Sequence, residues 1–164
     1  MKSMLSVLAL ASLALLGAAP ASASAAVTVS YVHPEKFIDL ADNDTERERV
    51  LKEFDQYFAQ LSKPLPPGQN LSIEVLDIDL AGRIEPTSRL RDLRILTGGA
   101  DWPTMQLRYR LEANGQVLAS GEDRLSNMVY LDRLNHYNGS DPLRYEKQMI
   151  DEWFNKKFVV ARPG

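Results

Sequence analysis

The feature that most constrains this chain is an apolar segment close to its N terminus. Residues 4–19 are almost entirely apolar, Lys2 precedes them, and Pro20 ends the run. Residues 21–23 and 23–25 both read Ala-Ser-Ala, the small-residue spacing that a signal peptidase cleaves. The run is shorter than the roughly 20 residues that cross a bilayer. We therefore predict a signal peptide over residues 1–25 and a single domain over residues 26–164, with an uncleaved anchor helix as the alternative.

Export restricts where the domain works and how it is stabilised. We expect a periplasmic or secreted protein with no transmembrane segment after cleavage, because no other stretch is long and apolar enough. The chain contains no cysteine, which excludes a disulfide framework and a thiolate metal site. Stability must then rest on the hydrophobic core. The formal net charge of −3 at pH 7 argues against nucleic-acid binding, which needs a clustered positive surface.

Hydrophobic periodicity predicts the order β-α-β-β-β-α. Residues 27–32 alternate as a strand, and residues 45–61 have a helical apolar face that starts at the Thr-x-x-Glu capping box of Thr45. Two alternating segments flank Asn114-Gly115, a strong hairpin signal, and we expect Val117 to point inward. Residues 93–96 are a candidate edge strand, and Asp141 opens a last helix. The expected fold is α+β, with a mostly antiparallel sheet and two helices packed on one face.

The segment over residues 71–80 changes phase partway along. Apolar residues alternate up to Val75 and continue from Leu76 on the other face, which predicts a β-bulge at this point or a strand covered on both sides. The change places Asp77 and Asp79 on one face. These carboxylates could act as acid and base or hold a hard cation.

Ordinary sheet pairing is the alternative for the two aspartates. Arg108 and Arg110 also share one face of a strand and could lie opposite them as ion pairs. His136 is the other weak catalytic candidate, but it has no metal-ligand spacing with His33. We therefore assign no metal. We also expect no cofactor, because no phosphate-binding or dinucleotide-binding glycine motif occurs.

Several basic and aromatic side chains are candidates for contact with a partner. The arginines cluster in an otherwise acidic chain and could bind an anionic ligand, although neighbouring acidic residues could neutralise them in a solvated loop. Tryptophan often anchors an interface when it is not part of the core. The candidate partner-binding residues are Arg89, Arg91, Arg94, Trp102, Arg144 and Trp153.

Three strings of residues resemble one known family. They are residues 73–82 (IEVLDIDLAG), residues 101–103 (DWP) followed by residues 107–109 (LRY), and residues 140–147 (SDPLRYEK) with nearby Asp151, Trp153 and Phe154. Together they resemble an uncharacterised family of exported bacterial proteins, domain-of-unknown-function family 3016 (DUF3016). The resemblance extends over nearly the whole mature chain. It implies a small periplasmic α+β domain and assigns no activity, cofactor or catalytic residue.

Two functions of different class follow from these observations. The favoured one is a non-catalytic binding or accessory module that contacts an unknown envelope protein or an anionic ligand. The alternative is a small periplasmic hydrolase or metal-dependent enzyme that uses Asp77 and Asp79 with His136 or Arg144. Convergence of those side chains on a cleft would favour the enzyme, and their pairing on a flat sheet face would favour the binding module.

Overall fold

The structure is a computed structural model that describes residues 24–37, 40, 44–85 and 93–159. The predicted signal peptide up to residue 23 lies outside these ranges, as do Arg89 and Arg91. The described ranges contain six strands, β1 to β6 in chain order: Ala26–Tyr31, Gln69–Asp79, Arg83–Glu85, Leu93–Ile95, Thr104–Ala113 and Gln116–Ser126. The helices are α1, Asp44–Gln60, and α2, Arg144–Phe154, which continues as a π-helical segment over Asn155–Val159.

A four-stranded mixed sheet forms the centre of the fold, in the order β1-β2-β5-β6. β1 and β2 are parallel, and α1 connects them, while the other two pairs are antiparallel. The predicted α+β class and the mostly antiparallel sheet are therefore confirmed. The candidate strand over residues 93–96 is also present, but as β4 it pairs with β3 in a separate two-stranded sheet.

One face of the sheet is apolar because alternate residues of β2 and β5 match across the strands. Leu71 lies opposite Leu111, and Val75 lies opposite Leu107, and all four side chains are buried. Both helices cover this face, as predicted. α1 and the α2 segment contribute these residues to the same core cluster: Val50, Phe54, Tyr57, Phe58, Met149, Ile150, Phe154 and Phe158.

The phase change in β2 is a β-bulge, as the sequence predicts. The pairing with β5 shifts between Val75 and Asp77, after which Ile78 returns to the buried face opposite Met105. Asp77 and Asp79 therefore lie away from the core, towards the outer face of the sheet. The bulge restores the alternation of buried residues along β2 and leaves one residue, Leu76, without a partner on β5.

The hairpin between β5 and β6 also forms where predicted. Asn114 and Gly115 both have positive φ, 52° and 75°, the geometry of a tight hairpin turn. The expectation that Val117 points inward is wrong. A second register shift leaves Leu118 unmatched, and Val117 and Leu118 are both exposed. No helix within the described ranges is long and apolar enough to cross a membrane.

Candidate functional site

A polar cleft of about 480 Å³ lies between α1, the start of α2 and the loop that precedes α2. α1 contributes Glu53 and Tyr57 on the side of the helix next to its apolar face. α2 contributes Lys147, and the loop contributes Tyr137 and Asp141. The cleft therefore joins α1 to a later segment of the chain, the loop that runs directly into α2, and several polar side chains converge there.

Lys147 is the central cation of this cleft. Its Nζ donates to Glu53 Oε1 at 2.8 Å and to the two carboxylate oxygens of Asp141 at 2.9 and 2.7 Å. Burial acts to lower the pKa of Lys147, but the bonds to Asp141 and Glu53 outweigh it and raise the pKa. The ammonium group is therefore fully charged and fully engaged, so it is not a general base or a free nucleophile.

A second network surrounds Asp151, one turn further along α2. Tyr57 and Tyr137 each donate a hydroxyl to this carboxylate at 2.6 Å, and His136 Nε2 lies 3.3 Å from it. Burial, then the bond to Asp151, raises the pKa of both phenols well above its usual range. The tyrosines therefore stay protonated at neutral pH and act as hydrogen-bond donors.

The candidate catalytic aspartates and His136 lie on different parts of the structure. Asp77 and Asp79 lie opposite Gln106 and Thr104 on β5, whereas His136 contacts Asp151 beside α2. Partial burial and the nearby Asp77 raise the pKa of Asp79, against an opposing effect of Arg124. Within the described ranges, no group of three or more histidine, aspartate or glutamate side chains is arranged to hold a metal ion.

The proposed ion pairs of the two aspartates with β5 arginines do not form. Arg108 instead bonds to Glu74 at 2.9 Å and to Glu122 at 3.2 Å, and Arg110 pairs with Glu112 at 2.7 Å. The reason is the register: Glu74 lies directly opposite Arg108, whereas Asp77 and Asp79, beyond the bulge, lie opposite Gln106 and Thr104. The outer face of the sheet is therefore a polar surface of its own.

Arg94, one of the candidate anion-binding residues, is engaged inside the protein. It donates to the carbonyl oxygens of Ala81 and Pro142 and forms an ion pair with Glu146. Glu146 is fully buried, and its Oε1 also accepts the Ala81 N–H at 2.8 Å. This pair connects the small β3-β4 sheet to α2, and the guanidinium of Arg94 has its donors occupied there.

The other candidate contact residues also have intramolecular partners. Trp102 packs against the small buried cluster that contains Tyr130. Arg144 Nη2 donates to the hydroxyl of Tyr145 at 2.9 Å, and its guanidinium stacks over the same ring. Trp153 Nε1 donates to Asp123 at 2.8 Å. All three remain candidates for partner contact, because each keeps part of its side chain accessible.

Sequence reasoning missed an exposed apolar segment between β6 and α2. We define the apolar turn as Met128, Val129, Leu131 and Leu134, all of which are exposed. Leu134 is the extreme case, since 94% of its surface is accessible. The signal was available in the sequence: four large apolar residues fall within seven positions of a segment otherwise read as a loop.

The polar cleft could not be predicted from the sequence. Tyr57 falls on the apolar face of α1 and Tyr137 lies in the loop, so neither position predicts that the two hydroxyls donate to the same carboxylate. Lys147 sits in a strongly amphipathic helix, where a lysine is expected to face water. Only the tertiary packing of α2 against α1 makes these residues neighbours.

The fold and these sites together define an α+β protein, with a four-stranded mixed sheet and a small two-stranded one, in which the convergent polar groups are paired with one another. The chain belongs to the family described as protein of unknown function DUF3016, which matches residues 25–156. The predicted resemblance is thus confirmed. No curated protein matches the chain. A similar solved structure is that of the hypothetical protein CT253 from Chlamydia trachomatis, at 15% identity and a TM-score of 0.38, with 87% of this chain and 100% of that chain covered.

Proposed function

We propose that this chain is exported and works outside the cytoplasm as a non-catalytic binding module that contacts another envelope protein through the apolar turn. The observation that supports this most directly is the exposure of four large apolar side chains within seven residues. Contiguous apolar surface of this kind is uncommon in a soluble monomer and typically marks an interaction site.

The backbone of the apolar turn is held in place, which a binding surface requires. Gln148 Nε2 donates to the carbonyl oxygen of Leu134 at 3.2 Å, and Asn135 Nδ2 donates to that of Arg144 at 3.0 Å. Arg133 forms a bidentate ion pair with Glu152 at 2.7 and 2.6 Å. The turn is therefore fixed to α2 from three positions, and Leu131 and Leu134 project from an ordered support.

Charge favours a protein partner over a membrane surface. The chain has a net negative charge, and anionic lipid attracts polybasic rather than acidic segments. The one cation inside the turn, Arg133, is already paired with Glu152. An apolar patch on another protein is the partner whose chemistry fits this surface.

The pairing of the polar groups supports a non-catalytic role. A general base or nucleophile must be free to reach a substrate proton or carbonyl. In the cleft, Lys147 is bonded to two carboxylates, and Asp151 accepts from two phenols. These groups stabilise the position of α2, which accounts for their presence without a reaction.

Site-specific photo-crosslinking in cells tests the proposed contact. A benzophenone side chain at Leu134 should give a discrete crosslinked protein product, and the same probe at Val32 should not. Val32 is a matched control because it is also an exposed apolar residue but lies after β1. The double variant L131D/L134D should abolish co-purification of the same product, while V32D should retain it. Equal products at both positions, or co-purification by L131D/L134D, would contradict the proposal.

Export is tested separately by fractionation and by sequencing the N terminus of the purified protein. We expect the product in the periplasm or medium, with an N terminus after residue 23 or 25. An intact N terminus on a cytoplasmic product would refute this part of the proposal.

The enzyme alternative keeps one supporting observation, the raised pKa of Asp79 beside Asp77. A carboxyl of this kind can serve as an acid when a second carboxylate is close. Metal analysis of the purified protein and hydrolase assays of wild type and D77N/D79N test this alternative. A bound divalent cation, or a hydrolytic activity lost in D77N/D79N, would favour the enzyme over the binding module.

A further inference from the structure

The outer edge of β6 is long and open. The strand spans 11 residues at the margin of the sheet, whereas β1 at the opposite margin spans six. Among the residues that the structure describes, no strand pairs with this outer edge. An open edge presents a row of unsatisfied N–H and C=O groups that can pair with another strand. Natural edge strands are usually short, covered by another segment or protected from pairing by charged side chains. The side chains of β6 therefore decide whether a second strand can pair with it.

We propose that two copies of this chain associate through antiparallel pairing of their β6 strands about a two-fold axis at Asp123. This axis is perpendicular to the sheet, so the two sheets join into one of eight strands with all helices on the same face. A C2 interface of this kind uses the same surface patch twice and must be self-complementary. The sequence of β6 meets that requirement in charge and in apolar character.

The charges match in this register. With Asp123 at the axis, Glu122 of each copy lies directly opposite Arg124 of the other. Both side chains are exposed on the outer face of the sheet. Within its own chain Glu122 accepts from Gln106 and Arg108. Arg124 interacts electrostatically with Asp79, so the pairing across the axis would extend an existing network of charges. Moving the axis by one residue in either direction would place Glu122 opposite Glu122 or Arg124 opposite Arg124. Opposite charges stabilise a cross-strand pair and like charges destabilise it, so the register is specific.

The apolar residues match in the same register. The same register brings Val117 and Leu118 of one copy level with Val129 and Met128 of the other, which follow the C-terminal end of β6 in a turn. These are four of the eight exposed large apolar residues in the described ranges. The pairing therefore covers exposed apolar surface that the isolated chain leaves in water. Met128 and Val129 also belong to the apolar turn, so the proposed dimer and the proposed partner contact share these two residues, and Leu131 and Leu134 remain for the partner.

The axis residue is compatible with its own copy. Asp123 points to the helical face, where it accepts from Trp153 Nε1 and forms an ion pair with Lys157. Its partial burial acts to raise the pKa of Asp123, but the bonds from Lys157 and Trp153 outweigh that effect and lower it. Each carboxylate thus brings its own cation to the axis. An open cleft of about 610 Å³ between α2 and the end of β6 leaves room there for the second copy.

Sedimentation equilibrium of the purified protein tests the proposal. Wild type should show a monomer–dimer equilibrium. The single reversals R124E and E122R each place two like-charge pairs across the axis and should raise the dimer dissociation constant roughly tenfold or more. The double swap E122R/R124E restores opposite charges and should return the dissociation constant towards that of wild type. E74R is the matched control, because it also removes a partner of Arg108 but lies inside the sheet on β2.

A mixing experiment makes the test specific to this register. R124E and E122R repel their own copies, but each complements the other, so an equimolar mixture should form a heterodimer. A wild-type protein that stays monomeric up to its solubility limit would overturn the proposal. So would a dimer that is unchanged by R124E, or a mixture of the two reversals that remains monomeric. Loss of the Leu134 crosslink with an intact dimer would refute only the proposed partner contact.

Discussion

Substitution of Arg94 by methionine should be among the most destabilising changes to a charged residue in this protein. Arg94 is the cationic partner of Glu146, whose side chain is fully buried, while the arginine side chain itself is 20% accessible. R94M keeps most of the aliphatic volume but leaves a carboxylate in the interior without its cation. Breaking a buried pair in this way costs about 3–5 kcal/mol. Because Arg94 is partly accessible, we expect a loss of about 3 kcal/mol in the free energy of unfolding.

A second substitution separates the stranded charge from the loss of packing. E146Q removes the charge but keeps an oxygen that can accept the Ala81 N–H. The double variant R94M/E146Q should therefore be more stable than R94M, by about 1–2 kcal/mol, because a neutral amide is less costly to bury than an unpaired carboxylate. A gain in stability when E146Q is added to R94M distinguishes the unpaired buried charge from a simple loss of packing.

Urea unfolding of wild type, both single variants and the double variant gives the coupling free energy directly. R108M is the matched control, because its pairs with Glu74 and Glu122 are solvent-exposed and should contribute little to stability. If R94M costs no more than R108M, or if E146Q destabilises R94M further, then the pair does not balance a buried charge and the reasoning is refuted.

Three further outcomes are expected from the same unfolding assay. Burial and nearby Asp77 raise the pKa of Asp79 above its unfolded value, so protonated Asp79 favours the folded state at low pH, and this contribution is lost as the pH rises through the folded pKa. D79N should therefore be slightly more stable than wild type at neutral pH, and the difference should disappear below about pH 4, near the unfolded pKa of an aspartate. G82A should cost at least about 2 kcal/mol, because φ is +81° and the new Cβ would lie 2.2 Å from the Ile95 carbonyl oxygen. Y57F should cost about 1–2 kcal/mol, because it removes the single O–H that donates to Asp151 at 2.6 Å and whose oxygen lies 2.8 Å from the Lys147 carbonyl oxygen; a loss near zero would contradict the network.

The elements that the sequence predicts are those set by local pattern. The alternation of residues 71–80 contains its own phase change, so the bulge after Val75 could be located without knowledge of the neighbouring strand. The Asn114-Gly115 turn is similarly local, because both residues tolerate positive φ. The helix predicted from Asp141 begins instead at Arg144, since the Asp141 carboxylate accepts the Leu143 N–H in a turn and bonds Lys147.

Cross-strand partners could not be predicted, because they depend on the register of the two strands and on every bulge within them. The sequence shows a phase change in β2 and a polar face on β5, but not which residues of the two strands lie opposite one another. In the observed register Glu74 lies opposite Arg108, and the aspartates lie opposite Gln106 and Thr104. A register shift in the second hairpin strand exposes Val117, which simple alternation predicts to be buried.

The polar residues of α2 explain why the candidate sites escape sequence reasoning. Glu146, Lys147 and Gln148 are consecutive, so they point in three directions around the helix, and all three are buried. Each meets a different part of the fold: the ion pair with Arg94, the bonds of Lys147 to α1 and the preceding loop, and the bond of Gln148 to the apolar turn. From the sequence alone, such a run of polar residues is expected to lie on the solvent-exposed surface of a helix. In the folded protein these three contacts hold α2, and through α2 they position both the polar cleft and the exposed turn, so the proposed binding surface depends on the most polar part of the core.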